Sequence, residues 1–161
     1  MTATTQTRTF ATRYQTLFDD VIATVSSVTD EQWQTVTGEE QWSLGVVAHH
    51  IAMTQCVFVS MLEAITSGEG ELPSATMEQI HAGNAQHAHD YAHATIAETL
   101  ALLESNTPRA IELIKLLRDD QLDRFAATFA GYDMNVGAIV ELVGIGHPTG
   151  HLESIKTTLG N

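Results

Sequence analysis

The chain has 161 residues and a formal net charge of −13, from 20 acidic against 7 basic side chains, with no Lys/Arg cluster along it. A surface of that sign makes nucleic acid and anionic membrane poor partners. Cys56, the single cysteine, has no partner for a disulfide or a cysteine-based zinc site, and its apolar surroundings read as a buried, inert thiol. A chain of this length buries an adequate core as one domain, expected over 1–161 with its core at about 10–159, so any metal is functional rather than a folding staple.

Met1 to Arg8 lacks the apolar stretch of a signal peptide, and no run of roughly 18 apolar residues is evident. A soluble, cytoplasmic protein is expected. Phe10, Tyr14, Leu17, Val21, Val25 and Val28 then follow the three-and-four spacing of an amphipathic helix. Thr29 to Gln32 has the form of a capping box, with Trp33 packed under the connection that follows through Gly38, Glu39 and Glu40. Ser43 can cap a second helix, whose stripe is Leu44, Val47, Ile51, Thr54, Phe58, Leu62 and Ile65. Ser67, Gly68, Gly70 and Pro73 end it.

Thr76 to His93 is helix-compatible but weakly apolar, and reads as a short helix across one end of the molecule. Thr95 to Glu98 forms another capping box and opens the stripe Ile96, Leu100, Leu103, Ala110, Ile114 and Leu117, which ends near Arg118. Pro108 either kinks this third helix or begins a second segment with Thr107 as its cap. Asp119 to Met134 reads as a loop with one possible helical turn. Asn135 caps a last helix that aligns Val136, Val140, Val143, His147, His151 and Ile155. The fold class is all-α, an antiparallel four-helix bundle with a short extra helix between helices two and three.

His147 and His151 stand one turn apart on one helix face. At about 100° per residue His50 lies beside the apolar stripe of its helix, whereas His49 falls nearly opposite and reads as outward or subunit-facing. A third imidazole from His50 would complete a three-nitrogen metal site with room for water or substrate. The plainer alternative is that these are core histidines bonded to backbone or water. His89 and His93 also have the spacing of a ligand pair, with Asp90 or His87 nearby, but in a polar segment where histidines are usually solvated. Glu141 and Glu153 read as solvent-facing or as supports for a ligand.

Three features together resemble the DinB/YfiT-like superfamily of metal-binding four-helix bundles, which includes thiol-dependent S-transferases and mycothiol-dependent maleylpyruvate isomerases. Trp42 precedes a small-and-aliphatic helix that reaches His50; an asparagine follows the second helix in His81-Ala82-Gly83-Asn84; and the last helix carries His147-x-x-x-His151, followed by Leu152 and Ile155. The resemblance covers about Phe10 to Leu159. It implies that His50, His147 and His151 hold one divalent ion, such as zinc, nickel or iron, facing a pocket at one end of the bundle. His49, His81 and Asn84 are candidates for that pocket. Where family members keep helix-compatible residues between the last two histidines, this chain has Pro148, Thr149 and Gly150, so a kink is expected there.

Three neutral imidazoles leave a bound ion with its full charge and an open position, which suits activation of water or thiol. The expected function is transfer of a low-molecular-weight thiol to a small electrophile, or thiol-assisted isomerisation, with no protein nucleophile required. Metal-dependent hydrolysis, or a non-catalytic metal- or ligand-binding bundle, are the alternatives. A small-molecule substrate and a homodimer are the expected partners.

Overall fold

The computed structural model describes residues 4–68 and 71–160. Helix α1 spans Thr5–Ser27, capped by the Thr4 hydroxyl, and starts earlier than its apolar stripe because threonines supply the cap. The helical turn α2, Asp30–Trp33, carries the expected capping box between Thr29 and Gln32. Helix α3, Leu44–Ser67, begins at the Ser43 cap and ends at Gly68, whose φ of 81° is the left-handed conformation that glycine adopts without strain.

Helix α4, Met77–Asp90, and α5, Ile96–Leu116, both open with capping boxes, from Thr76 and Thr95. Pro108 lies inside α5, which continues through it, so no second segment begins at Thr107. The Thr107 hydroxyl instead donates to the Leu103 carbonyl at 2.7 Å and accepts from the Gln55 side-chain amide at 2.9 Å.

The stretch expected to be loop holds the turn α6, Asp119–Leu122, and a hairpin of β1, Phe125–Phe129, and β2, Tyr132–Asn135. The strands pair antiparallel, with Phe129 opposite Tyr132 and a bulge near Phe125. Ala130 and Gly131 join them with φ of 53° and 84°. Two central residues with positive φ make the tight turn whose twist matches the strands. The segment before α4 lies alongside: the Leu72 amide donates to the Ala126 carbonyl at 2.8 Å, and the Ala75 amide to Thr128 at 3.0 Å. Apart from this small sheet and the connecting loops, the described residues are helical, in keeping with the all-α expectation.

Asn135 caps the last helical run as its side chain suggests, accepting from the Ala138 amide at 2.7 Å. The run has three parts: α7, Val136–Ala138; a π-helical segment, Ile139–Gly146; and α8, His147–Leu159. In the wide segment the His147 amide reaches back five residues to the Leu142 carbonyl. Pro148 thereby falls in the first turn of α8, where its missing N–H and its ring are tolerated. A Cβ on Gly146 would stand 3.3 Å from the Glu141 carbonyl, and one on Gly144 would stand 2.5 Å from Phe58 Cζ. Both glycines let this segment pack tightly.

α5 packs against α1 and α3, while α8 packs against α3 and α1. Tyr14, Phe18, Val21, Ile51, Phe58, Leu62, Leu103, Ile114 and Ile155 are fully buried between them. Tyr14 stacks on Phe18 with ring centroids 4.4 Å apart. Leu44–Ser67 is long and apolar enough to cross a membrane by length and composition, and 67% of its apolar window is buried against the rest of the fold. That burial accounts for its hydropathy as a core helix.

Candidate metal centre

The N-terminal parts of α3 and α8 meet beside Trp42, which precedes α3. Ring centroids of His50 lie 5.5 Å from Trp42, 5.2 Å from His147 and 5.0 Å from His151. One nitrogen from each of His50, His147 and His151 lies within 4.8 Å of the others. Pro148, where a kink was expected that could preserve or spoil the approach of the two histidines, leaves their Nε2 atoms 3.2 Å apart.

Burial, reinforced by His151, His147 and His87, pushes His50 down to about 3, with Glu40 opposing. Burial and then His151 push His147 down to about 4. Both imidazoles are therefore neutral at physiological pH and keep the lone pair a metal needs. His50 Nε2 is buried without a hydrogen-bond partner, as is His147 Nδ1. A buried, unpaired ring nitrogen among two further imidazoles is the donor set that suits a divalent ion.

His151 is fixed from behind. Its Nδ1 donates to Glu40 Oε1 at 2.7 Å, while the Ser154 hydroxyl donates to Glu40 Oε2 at 2.6 Å. Only 8% of the Glu40 side chain is exposed. Burial alone raises its pKa, but hydrogen bonds from Ser154, His151, Thr37 and its own amide outweigh that and hold it below the usual value. An ionised carboxylate accepts only, so Nδ1 of His151 is the donor in this bond, which turns Nε2 toward the other two rings. Glu40 is placed by a short, doubled-back connection in which Thr37 N–H donates to the Trp42 carbonyl at 2.8 Å and Gln41 adopts φ of 58°. The positive φ of a non-glycine residue marks a conformation held by its surroundings.

His49 is buried, 4% exposed, rather than outward. Its ring stacks on Tyr91 at 4.2 Å and on His87 at 5.2 Å, because α4 covers the face of α3 that the apolar stripe leaves open. His87 in turn lies 5.1 Å from His50. Asn84 lines the cavity beside these rings, whereas His81 is exposed and neither His49 nor His81 lines it. His89 and His93 are exposed, and no second group of ligating side chains forms among the described residues. Glu141 pairs at the surface with Arg13 through two 2.6 Å bonds, and Glu153 is exposed. Cys56 is half-buried rather than fully buried; its Sγ accepts from the Asn106 amide at 3.3 Å, and partial burial raises its pKa and disfavours the thiolate.

Glu40 and His87 are the contributors that periodicity did not reveal. Glu40 sits in a loop without apolar pattern, and His87 lies in a helix with no buried residue. The Gly38-Glu39-Glu40 loop beside Trp42 was the one available signal for a carboxylate near the first ligand.

The cavity itself, about 610 Å³, runs from His50, His147 and His87 between α3, α4, the hairpin and the π-helical segment. Three histidines from two helices thus converge at one end of this cavity, lined there by His50 and His147, in an arrangement that could hold a metal ion. The DinB superfamily model matches residues 13–155, and the chain belongs to that superfamily. No curated protein and no solved structure matches it.

Proposed function

We propose that the chain is a divalent-metal-dependent enzyme that activates a low-molecular-weight thiol, or water, for transfer to a small electrophile or for its isomerisation. The observation that carries this reading is the convergence of His50, His147 and His151 within 4.8 Å at the end of a cavity. Burial keeps His50 and His147 neutral, and Glu40 accepts from His151 Nδ1 so that Nε2 faces the other two rings. A divalent ion bound there supplies Lewis acidity, which lowers the pKa of a thiol or water and polarises an electrophile.

The chain's own groups do the rest. Met53, Val57, Leu142 and Val143 give the cavity an apolar wall beside the histidines, and Asn84 offers a side-chain amide for orientation. Cys56 does not line this cavity and its thiol is disfavoured as a thiolate, which supports an external nucleophile.

Elemental analysis of untagged protein purified without chelator tests the reading, beside His147→Ala. About one divalent ion per chain in wild type and near none in the variant is the expected result. Turnover of small electrophiles is then assayed with and without added thiol. Dependence on thiol supports transfer or isomerisation, and thiol-independent turnover replaces it with hydrolysis. An absence of metal in both proteins after incubation with zinc, nickel and iron(II) removes the proposal.

A further inference from the structure

The wall of the cavity is chemically one-sided. Met53, Val57, Met61, Phe129, Met134 and Leu142 form an apolar belt beyond the histidine end. The polar side chains on it are neutral, and no Asp, Glu, Lys or Arg is among its lining residues. The buried carboxylate nearest the histidines, Glu40, lies behind His151 and is engaged by Ser154. The chain's net charge of −13 adds no compensating positive field.

We infer that this cavity receives a neutral, largely apolar small molecule with one polar head at the histidine end, and that it rejects ligands bearing a second, remote carboxylate. This deepens the metal-enzyme reading, on which it rests for the placement of the reacting end. The reason is desolvation: an anionic group at the histidine end can be met by a bound cation, but one in the belt loses water and gains no partner. Apolar groups gain there with every methylene, and the three methionines adapt their unbranched side chains to ligands of different outline. A volume of about 610 Å³ is in the range of small-molecule sites. Val57 and Leu142, 50% and 52% exposed, form a rim through which such a molecule enters.

The test uses N-phenyl-1-naphthylamine, a neutral dye that brightens in apolar surroundings, with the full chain as purified and again after chelation. It is displaced by 1-butanol, 1-hexanol and 1-octanol, and by 8-hydroxyoctanoate, which matches octanol in length but ends in a carboxylate. The inference expects affinity to rise along the alcohols by up to about fourfold per methylene. It expects the carboxylate to bind at least about tenfold more weakly than octanol. Val57→Asp, at a half-exposed wall position that spares the core, weakens dye binding, and Val57→Lys narrows the gap between octanol and 8-hydroxyoctanoate. Equal binding of octanol and the carboxylate, or dye binding unmoved by both Val57 substitutions, overturns the inference. Because the preference is read without metal, a protein that holds no ion still tests it, and a failed metal reading shows separately in the elemental analysis.

Discussion

Glu40 Oε1 accepts from His151 Nδ1 at 2.7 Å across 111 positions of the chain. The bond selects the tautomer of the one candidate ligand whose second nitrogen has a protein acceptor, and Ser154 holds the same carboxylate from α8. Support of this kind sets ligand orientation and basicity.

Replacing Glu40 therefore acts on affinity rather than on the number of ligands. Glu40→Gln keeps an oxygen for Nδ1–H but removes the charge, and should weaken metal binding by about tenfold; Glu40→Ala, which leaves Nδ1 and Ser154 unpaired, should approach about 100-fold. Competition against a chromophoric chelator measures both. Affinity unchanged in both variants, with the helical content of wild type, would mean that His151 is oriented by something else.

The pH dependence of stability has a definite sign. His50 and His147 take up a proton at about 3 and about 4 in the folded chain, against 6.5 for an unperturbed histidine. Below 6.5 the unfolded chain binds protons that the folded chain refuses, so stability falls with pH until the folded values are reached. Each group contributes a slope on the order of 1.4 kcal/mol per pH unit within its window. Glu40, held below the usual carboxylate value, adds a loss of the same sign further down, below 4.5. Urea midpoints of chelated protein at several pH values between 7 and 4 should decline, and His50→Phe should flatten the decline.

The packing of Trp33 makes a third test. Its indole N–H donates to the Ala94 carbonyl at 2.8 Å, and its ring occupies the space over Gly45, where a Cβ would stand 2.5 Å from Nε1. Gly45→Ala must displace the ring or α3, with a destabilisation of about 1–3 kcal/mol. The displacement occurs one helical turn and a half from His50, so metal affinity should fall with stability. Denaturant midpoints and the chelator assay on the same variant separate a local from a global effect.

How much was legible follows the same physics. The caps at Ser43, Thr29, Thr95 and Asn135 and the apolar stripes were readable because both are local, repeating signals. The pairing of His147 with His151 was readable from spacing, and His50 from its angle to the stripe. The hairpin was not, since its turn uses Ala130-Gly131 in place of the usual Asn-Gly and its strands are five and four residues long. His49 was misplaced because a second layer, α4, covers the face of α3 opposite the stripe, and a single helix carries no sign of what packs outside it. The π-helical segment shares the cause: Pro148 pointed to a kink, whereas the wider helix that precedes it, packed through Gly144 on Phe58, depends on tertiary contacts that no local spacing reports.

The buried pair inside the core supplies the last prediction. Gln55 and Thr107 are 2% and 5% exposed and bonded to each other, and the threonine hydroxyl also reaches the Leu103 carbonyl one turn before it. Thr107→Val keeps the shape but leaves the Gln55 amide buried without its acceptor, a loss of about 1–3 kcal/mol. Gln55→Leu should lose less, because the threonine keeps its bond to Leu103. In the double variant both polar partners are gone, and stability should recover to within about 1 kcal/mol of wild type. A double-mutant cycle from urea denaturation reads this directly. Additive losses in the double variant would show that the two side chains act independently, and that the hydrogen bond between α3 and α5 contributes no coupling to the core.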